Sequence, residues 1–328
     1  MSHATAVPTG HTRLICASLA RVSGSVMEEL LAMRGQVRAF NQARGLRSAF
    51  LSSSGWFFEW YEGAAAAVEK ALRVSRADSR HHNLRVLHRS LGDPVLTECL
   101  QIMATHGGEK PTDVARRLDS LQRGQVTESP AQPGQFWAQL AAPLRLPAGH
   151  SPGCSLVRRH IVVVASEHSE SIDLVRSLAD RFAARVTYQR FAAGTPGSAD
   201  VGAAYVDLPG PGHTTRLHAL SRRSLAYPLV RLCLGQLHGM VLLLGERAEH
   251  ARALGREAVE LLRALGGQPP LRLAGSESET TRAALDDLGG YGGEVVSIDR
   301  AALHRSGPDT LFDLILGPSP RDVDVMPA

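Results

Sequence analysis

The chain has 328 residues, 44% of them hydrophobic. That is more than one core usually holds, because single cores seldom grow past roughly 250 residues, and it predicts two domains. Lysine and arginine number 36 against 32 acids, a formal charge of +4, and an excess this small and dispersed argues against a nucleic-acid surface. Cys16, Cys99, Cys154 and Cys233 stand singly with no C-x-x-C pair, which predicts reduced thiols rather than a disulfide framework.

In chain order, Arg13 to Leu19 reads as a strand. Ser25-Val26-Met27-Glu28 is a capping box ahead of a helix that runs to about Arg44, with Gly45 after its end. Leu46 to Ser52 and Trp56 to Tyr61 flank Ser53-Ser54-Gly55 as a hairpin. A second helix is predicted from Ala64 to Ser75, then strands at Leu84 to Leu91 and Val95 to Met103 around Asp93-Pro94. The order βαββαββ predicts an α+β ferredoxin-like layer, an antiparallel sheet with two helices on one face, over residues 12–123.

Pro111 opens a third predicted helix to about Gln122. Residues 124–156 carry five prolines and read as a linker, within which Phe136, Trp137, Leu140 and Leu144 form an apolar stripe suited to docking on a domain. From His160 the pattern alternates: strand 160–165, helix 170–183, strands 185–191 and 203–207, helix 214–225, strand 239–244, helix 247–265, strand 270–274, helix 278–288 and strand 294–298. Continuous apolar strands such as Ile161 to Val164 mark a parallel sheet buried on both faces, so residues 157–318 are expected to form a doubly wound α/β domain. No apolar stretch approaches the roughly 20 residues of a membrane span, and Met1 to His11 lacks a signal-peptide pattern. The expectation is a cytoplasmic protein without membrane insertion.

One group of motifs carries a family resemblance. Asn41-Gln42-Ala43-Arg44-Gly45, then Gly55-Trp56-Phe57-Phe58-Glu59-Trp60-Tyr61-Glu62-Gly63, then Asp78-Ser79-Arg80-His81 resemble the BLUF family of flavin-binding blue-light sensors. The resemblance implies that Asn41 pairs with the pyrimidine edge of a flavin, and that Arg80 and His81 meet its carbonyl or phosphates. It also implies two departures. The family's photochemistry is attributed to a tyrosine on the first strand and a glutamine on the third, and here those positions hold Cys16 and Glu59. A thiol lacks the phenol's reach, and an ionised carboxylate cannot donate as an amide does. Cofactor: none is expected from these departures, with FAD as the alternative in a vestigial pocket of Asn41, Arg80, His81, Cys16 and Glu59. Glu59 and Glu62, three apart on a strand, point to opposite faces and cannot share one bond as an acid/base pair.

The second domain resembles a small Ras-like GTPase by element order. Its Asp207-Leu208-Pro209-Gly210 has the D-x-x-G form, so Asp207 and Gly210 are the vestigial nucleotide residues. The window Ala165 to Ile172 has neither glycine nor lysine, and Ala274-Gly275-Ser276-Glu277 replaces a guanine-reading box. The only lysines, Lys70 and Lys110, lie in the N-terminal half. That removes a phosphate-loop lysine, a Schiff base and the lysine of a phospho-receiver from this domain. The combined expectation is a non-enzymatic adaptor that binds a protein partner, a small GTPase or a polarity or motility component, through a pseudo-GTPase. The alternative is an FAD-binding sensor that acts through its C-terminal domain.

Overall fold

The computed structural model describes residues 10–124, 132–144, 157–166, 169–210, 213–275, 278–288, 290–305 and 308–316. They form two compact units. The first runs up to Ala142 and takes back Gln189–Asp200; the second comprises Pro143–Tyr188 and the chain from Val201 onward.

In the first unit, β1 (His11–Ala20) leads to α1 (Val26–Gln42), a hairpin of β2 (Arg47–Ser53) and β3 (Trp56–Gly63), α2 (Ala65–Ala77), β4 (His81–Gly92) and β5 (Leu100–His106). Only half of the capping box forms. Ser25 Oγ accepts from Glu28 N at 3.3 Å, while the Glu28 carboxylate turns to Arg190 at 2.8 Å. The two hairpin residues, Ser54 and Gly55, have φ of 52° and 76°, the positive-φ pair that a tight turn with the strands' own twist requires.

The predicted strand from Val95 begins only at Leu100. The amides of Val95 and Leu96 are already taken by Glu62 Oε2, at 2.7 and 2.8 Å, and Leu96 O accepts from Arg47 at 2.8 Å, so this stretch has no ladder to join. β3 pairs antiparallel with β1 and β2, and β1 with β4, whereas β2 and β5 run parallel. The first unit's strands are completed by the returning part, from Gln189, of β7 (Thr187–Ala193), the neighbour of β5.

Both faces of this sheet are covered, where sequence predicts helices on one. Leu14, Cys16, Phe50 and Tyr61 pack with Leu30 of α1 and Leu72 of α2. Opposite them lie α3 (Pro111–Gly124) and α4 (Pro133–Ala141). Trp56 Nε1 donates to Pro111 O at 2.9 Å, and Trp60 meets Trp137 at 5.6 Å between ring centres. The expected linker over 124–156 is therefore broken by a helix. Phe136, Trp137 and Leu140 of its stripe are buried, and only Leu144 is exposed.

The second unit contains β6 (Val157–Ala165), α5 (Glu170–Arg181), β8 (Val201–Gly210), β9 (His213–Ser221), a 3-10 turn at Arg222–Ala226, α6 (Pro228–Leu234), β10 (Gly239–Leu243), α7 (Ala248–Leu265), β11 (Leu271–Gly275), α8 (Ser278–Asp287), β12 (Val295–Asp299), α9 (Arg300–Arg305) and α10 (Pro308–Leu316). Its strands follow the order β12-β11-β10-β6-β9-β8. All neighbours are parallel except the antiparallel pair β8–β9. The helix predicted at 214–225 is mostly this strand β9. Its Thr215, Leu217 and Ala219 alternate with Arg216 and His218, all buried, and a polar buried face hides the two-residue period.

Candidate functional site

Between α1 and α2, over the β3 face that carries Phe57, Glu59 and Tyr61, lies a cavity of about 270 Å³. That is just below the roughly 300–1,000 Å³ usual for ligand sites. Its walls are largely apolar, from Leu30, Val37, Phe40, Phe50 and Phe57, with Asn41, Glu59, Arg80 and His81 among its polar lining. Four of the five residues expected from sequence thus meet in one place. Cys16 does not line the cavity; it is fully buried in β1, directly across from Glu59 in the strand register. Burial, and then the Glu59 carboxylate, push its thiol well above the ordinary range.

Asn41 sits in the last turn of α1 without capping it. Its Nδ2 donates to Ser48 Oγ at 2.7 Å and to Cys99 O at 2.9 Å. Because a carbonyl can only accept, these bonds fix the amide orientation, and Asn41 Oδ1 is left buried with no partner.

Glu59 is also buried. Its Oε1 accepts from Tyr61 Oη at 3.2 Å and from Ser75 Oγ at 3.0 Å, and the two hydroxyls lie 3.0 Å apart. Glu59 Oε2 has no partner. Burial pushes the carboxyl up to about 7, against the Ser75 and Tyr61 bonds and with help from Asp78. Sequence reading missed Tyr61 and Ser75 as site residues, although both positions carry a signal. Tyr61 follows Glu59 by two on a strand and so shares its face, and Ser75 continues the buried α2 stripe Val68, Ala71, Leu72.

Arg80 and His81 occupy other roles than those expected. The Arg80 guanidinium reaches Asp78 Oδ1 from Nε at 2.9 Å and Glu29 at 3.1 Å, and it also touches Met33 Sδ. It ties the end of α2 to α1 and is already committed to two carboxylates rather than held open for a phosphate. The Arg80 bond holds the Asp78 carboxyl below its ordinary range. His81 stacks on Phe57, with 5.8 Å between ring centres and 12° between planes, and burial lowers its pKa. Glu62, on the opposite face, spends Oε2 on the Val95 and Leu96 amides.

In the second unit Asp207 is buried on the antiparallel edge strand β8, paired in register with Arg216. Arg216 Nε and Nη2 reach the two Asp207 oxygens at 2.7 Å each, Nη2 also donates to Pro143 O at 2.8 Å, and the guanidinium lies 3.8 Å from the Tyr205 ring centre. An aspartate held this way is not presented to a metal ion or a phosphate. Gly210 ends the same strand rather than leading into a helix. In a doubly wound sheet a ligand would sit where the order reverses, outside the carboxyl ends of β6 and β10. There Ser166 Oγ accepts from Gly245 N at 2.7 Å and donates to Leu243 O at 3.3 Å, bridging the two strands. Ser276 and Glu277, of the replaced guanine-reading box, lie outside the described residues.

Among the described residues no helix is long and apolar enough to cross a membrane, and no metal-ligating cluster occurs.

A family model described as "BLUF: Sensors of blue-light using FAD" matches residues 12–93. No curated protein matches the chain. Among solved structures, the BLUF protein BlrB in its dark state is 18% identical, covering 36% of this chain and 86% of its own, with a TM-score of 0.27. BlsA in its ground state is 16% identical, covering 43% and 95%, with a TM-score of 0.30. Klebsiella pneumoniae BlrP1, a manganese and cyclic-di-GMP complex, is 16% identical over 91% and 77%, with a TM-score of 0.29.

Proposed function

Given that residues 12–93 form a BLUF domain, we propose that this unit binds a flavin-class ring in the α1–α2 cavity and works as a ligand-occupied signalling module. It does so without the tyrosine and glutamine switch attributed to the family. The observation that carries this reading is the pair of buried, unpartnered acceptors, Asn41 Oδ1 and Glu59 Oε2, on residues that line one apolar cavity. A polar atom buried with no partner costs roughly 1–3 kcal/mol, and a heteroaromatic edge bearing an N–H satisfies Asn41.

The residues present fit such a group. Asn41 Oδ1 would accept from a donor of the ring, Glu59 Oε2 would face one of its heteroatoms, and Phe57 and Phe40 supply apolar walls. When bound, a flavin supplies the module with light absorption and redox capacity. A cavity of about 270 Å³ would hold a ring system, with any ribityl or nucleotide tail outside it.

The second unit then acts as a non-enzymatic, partner-binding module in a cytoplasmic signalling protein. The closed Asp207–Arg216 pair and the lysine-free sequence favour this over nucleotide turnover. Absorption spectra of the purified full chain, dark and after blue light, with mass spectrometry of released small molecules, test the ligand. The expected result is stoichiometric flavin with no light-induced red shift. Protein that carries no flavin, and takes none up when it is supplied, overturns the reading.

A further inference from the structure

We propose that the α1–α2 cavity takes its ligand together with a proton: the neutral Glu59 carboxyl donates from Oε2 to an acceptor atom on the ligand, while Asn41 Oδ1 accepts a ligand N–H. This rests on the flavin-class reading above and adds a requirement of its own. The ligand must present a hydrogen-bond acceptor toward β3, and its capture must weaken as Glu59 ionises.

The argument begins with the groups around Glu59. From β3 and α2, Tyr61 and Ser75 donate only to Oε1, and Asp78 at the end of α2 is acidic. From β1 comes Cys16, a buried neutral thiol. From α1 comes Glu29, bound to Arg80. Arg80 itself, at the start of β4, is shared between Asp78 and Glu29, and the neighbouring His81 is pressed toward its neutral form by burial. Arg76 and Arg89 register their charge at Cys16, and Arg89 is paired with Glu69 at 2.6 Å. Among the described residues no cation closes on Glu59, so a proton is the available compensator for a carboxylate buried there.

The second step is donor arithmetic. Tyr61 and Ser75 contribute one hydroxyl hydrogen each, and both are spent on Oε1. An ionised Oε2 only accepts, and it repels a ring carbonyl or an unprotonated ring nitrogen. A protonated Oε2 supplies the one donor that the pocket floor otherwise lacks. Glu59 thereby replaces the donating arm of the amide that the family resemblance implies at this position, but only in its acid form. Its midpoint of about 7 places the loss of that form within the ordinary range of cellular pH.

The experiment is a titration of the full-length protein, stripped of any bound small molecule, with riboflavin as the probe. Fluorescence quenching is followed from about pH 6 to about pH 8.5, in wild type and Glu59→Gln. The expected wild-type Kd is flat below about pH 7 and rises toward tenfold per pH unit above it, whereas Glu59→Gln binds with one Kd throughout. Calorimetry of the wild type in two buffers of different ionisation heat needs no variant; it should show uptake approaching one proton per riboflavin at about pH 8. Wild-type binding that is independent of pH, or that tightens in base, overturns the proton requirement and leaves the flavin reading standing. No binding by either protein at any pH overturns both.

Discussion

Two buried carboxylates, Glu59 in the first unit and Asp207 in the second, have been solved in opposite ways. Asp207 has both oxygens on Arg216, which has a carbonyl for a further N–H and a ring for its face. Glu59 has one oxygen satisfied by two hydroxyls and the other left bare beside a cavity. A buried charge whose partners all come from its own chain is architecture. One left incomplete at a cavity wall is the signature of a place that expects something else. The candidate ligand site therefore lies in the N-terminal unit and not at the D-x-x-G segment of the other.

The contrast breaks most sharply at Asp207. Asp207→Ala strands a buried guanidinium, and unfolding of the full chain in urea should show a loss of about 3–5 kcal/mol. A loss below about 1 kcal/mol would mean the pair is not the closed unit described here.

Glu59→Gln should do the reverse. The folded protein holds the Glu59 proton up to about pH 7, and the unfolded chain releases it near the ordinary glutamate value of about 4.3. The native state thus binds more protons across that window, so this group's contribution to stability declines as pH rises from about 4.3 to about 7 and stays low above it. Glu59→Gln escapes that decline. Its advantage over wild type should grow from near zero at about pH 4 to about 3–4 kcal/mol at about pH 8, read as the difference between two urea series. An advantage that does not change with pH would place the Glu59 proton elsewhere.

The smallest change is Tyr61→Phe. It removes one of the two donors to Glu59 Oε1 and should cost about 1 kcal/mol in the same unfolding assay, while moving the Glu59 midpoint further up. A midpoint that moves down would show the phenol to be an acceptor rather than a donor.

Much of the first unit was legible in its sequence because its signals are local: the Ser25 cap, the Ser54-Gly55 turn and the stripes of α1 and α2. The candidate pocket was legible as residue types, and four of those five residues line the cavity. Their roles were less so. Arg80 is claimed by Glu29 from across the cavity, Asn41 points its amide to Ser48 and Cys99, and such pairings depend on tertiary distances that no spacing encodes. In the second unit the same limit is larger. Arg216 and His218, buried on β9, erase the alternation that marks a strand; Asp207 and Pro143 O accept from the Arg216 guanidinium there, and His218 stacks on His160. The Val95–Cys99 stretch reads as strand by composition, but Glu62 captures its first two amides, those of Val95 and Leu96.

One consequence follows from the return of Gln189–Asp200 to the first unit, where Gly194 N bonds Leu100 O at 3.0 Å beside β5. On the ribosome, the N-terminal sheet has an open edge at β5 until Asp200 has been made, with residues 143–188 emerging in between. At ~5–20 residues per second this leaves an unpaired strand edge waiting for several seconds. Truncation after Ala142 makes that interval permanent, so the shortest piece of the gene able to complete the first unit's sheet extends well into the sequence of its neighbour.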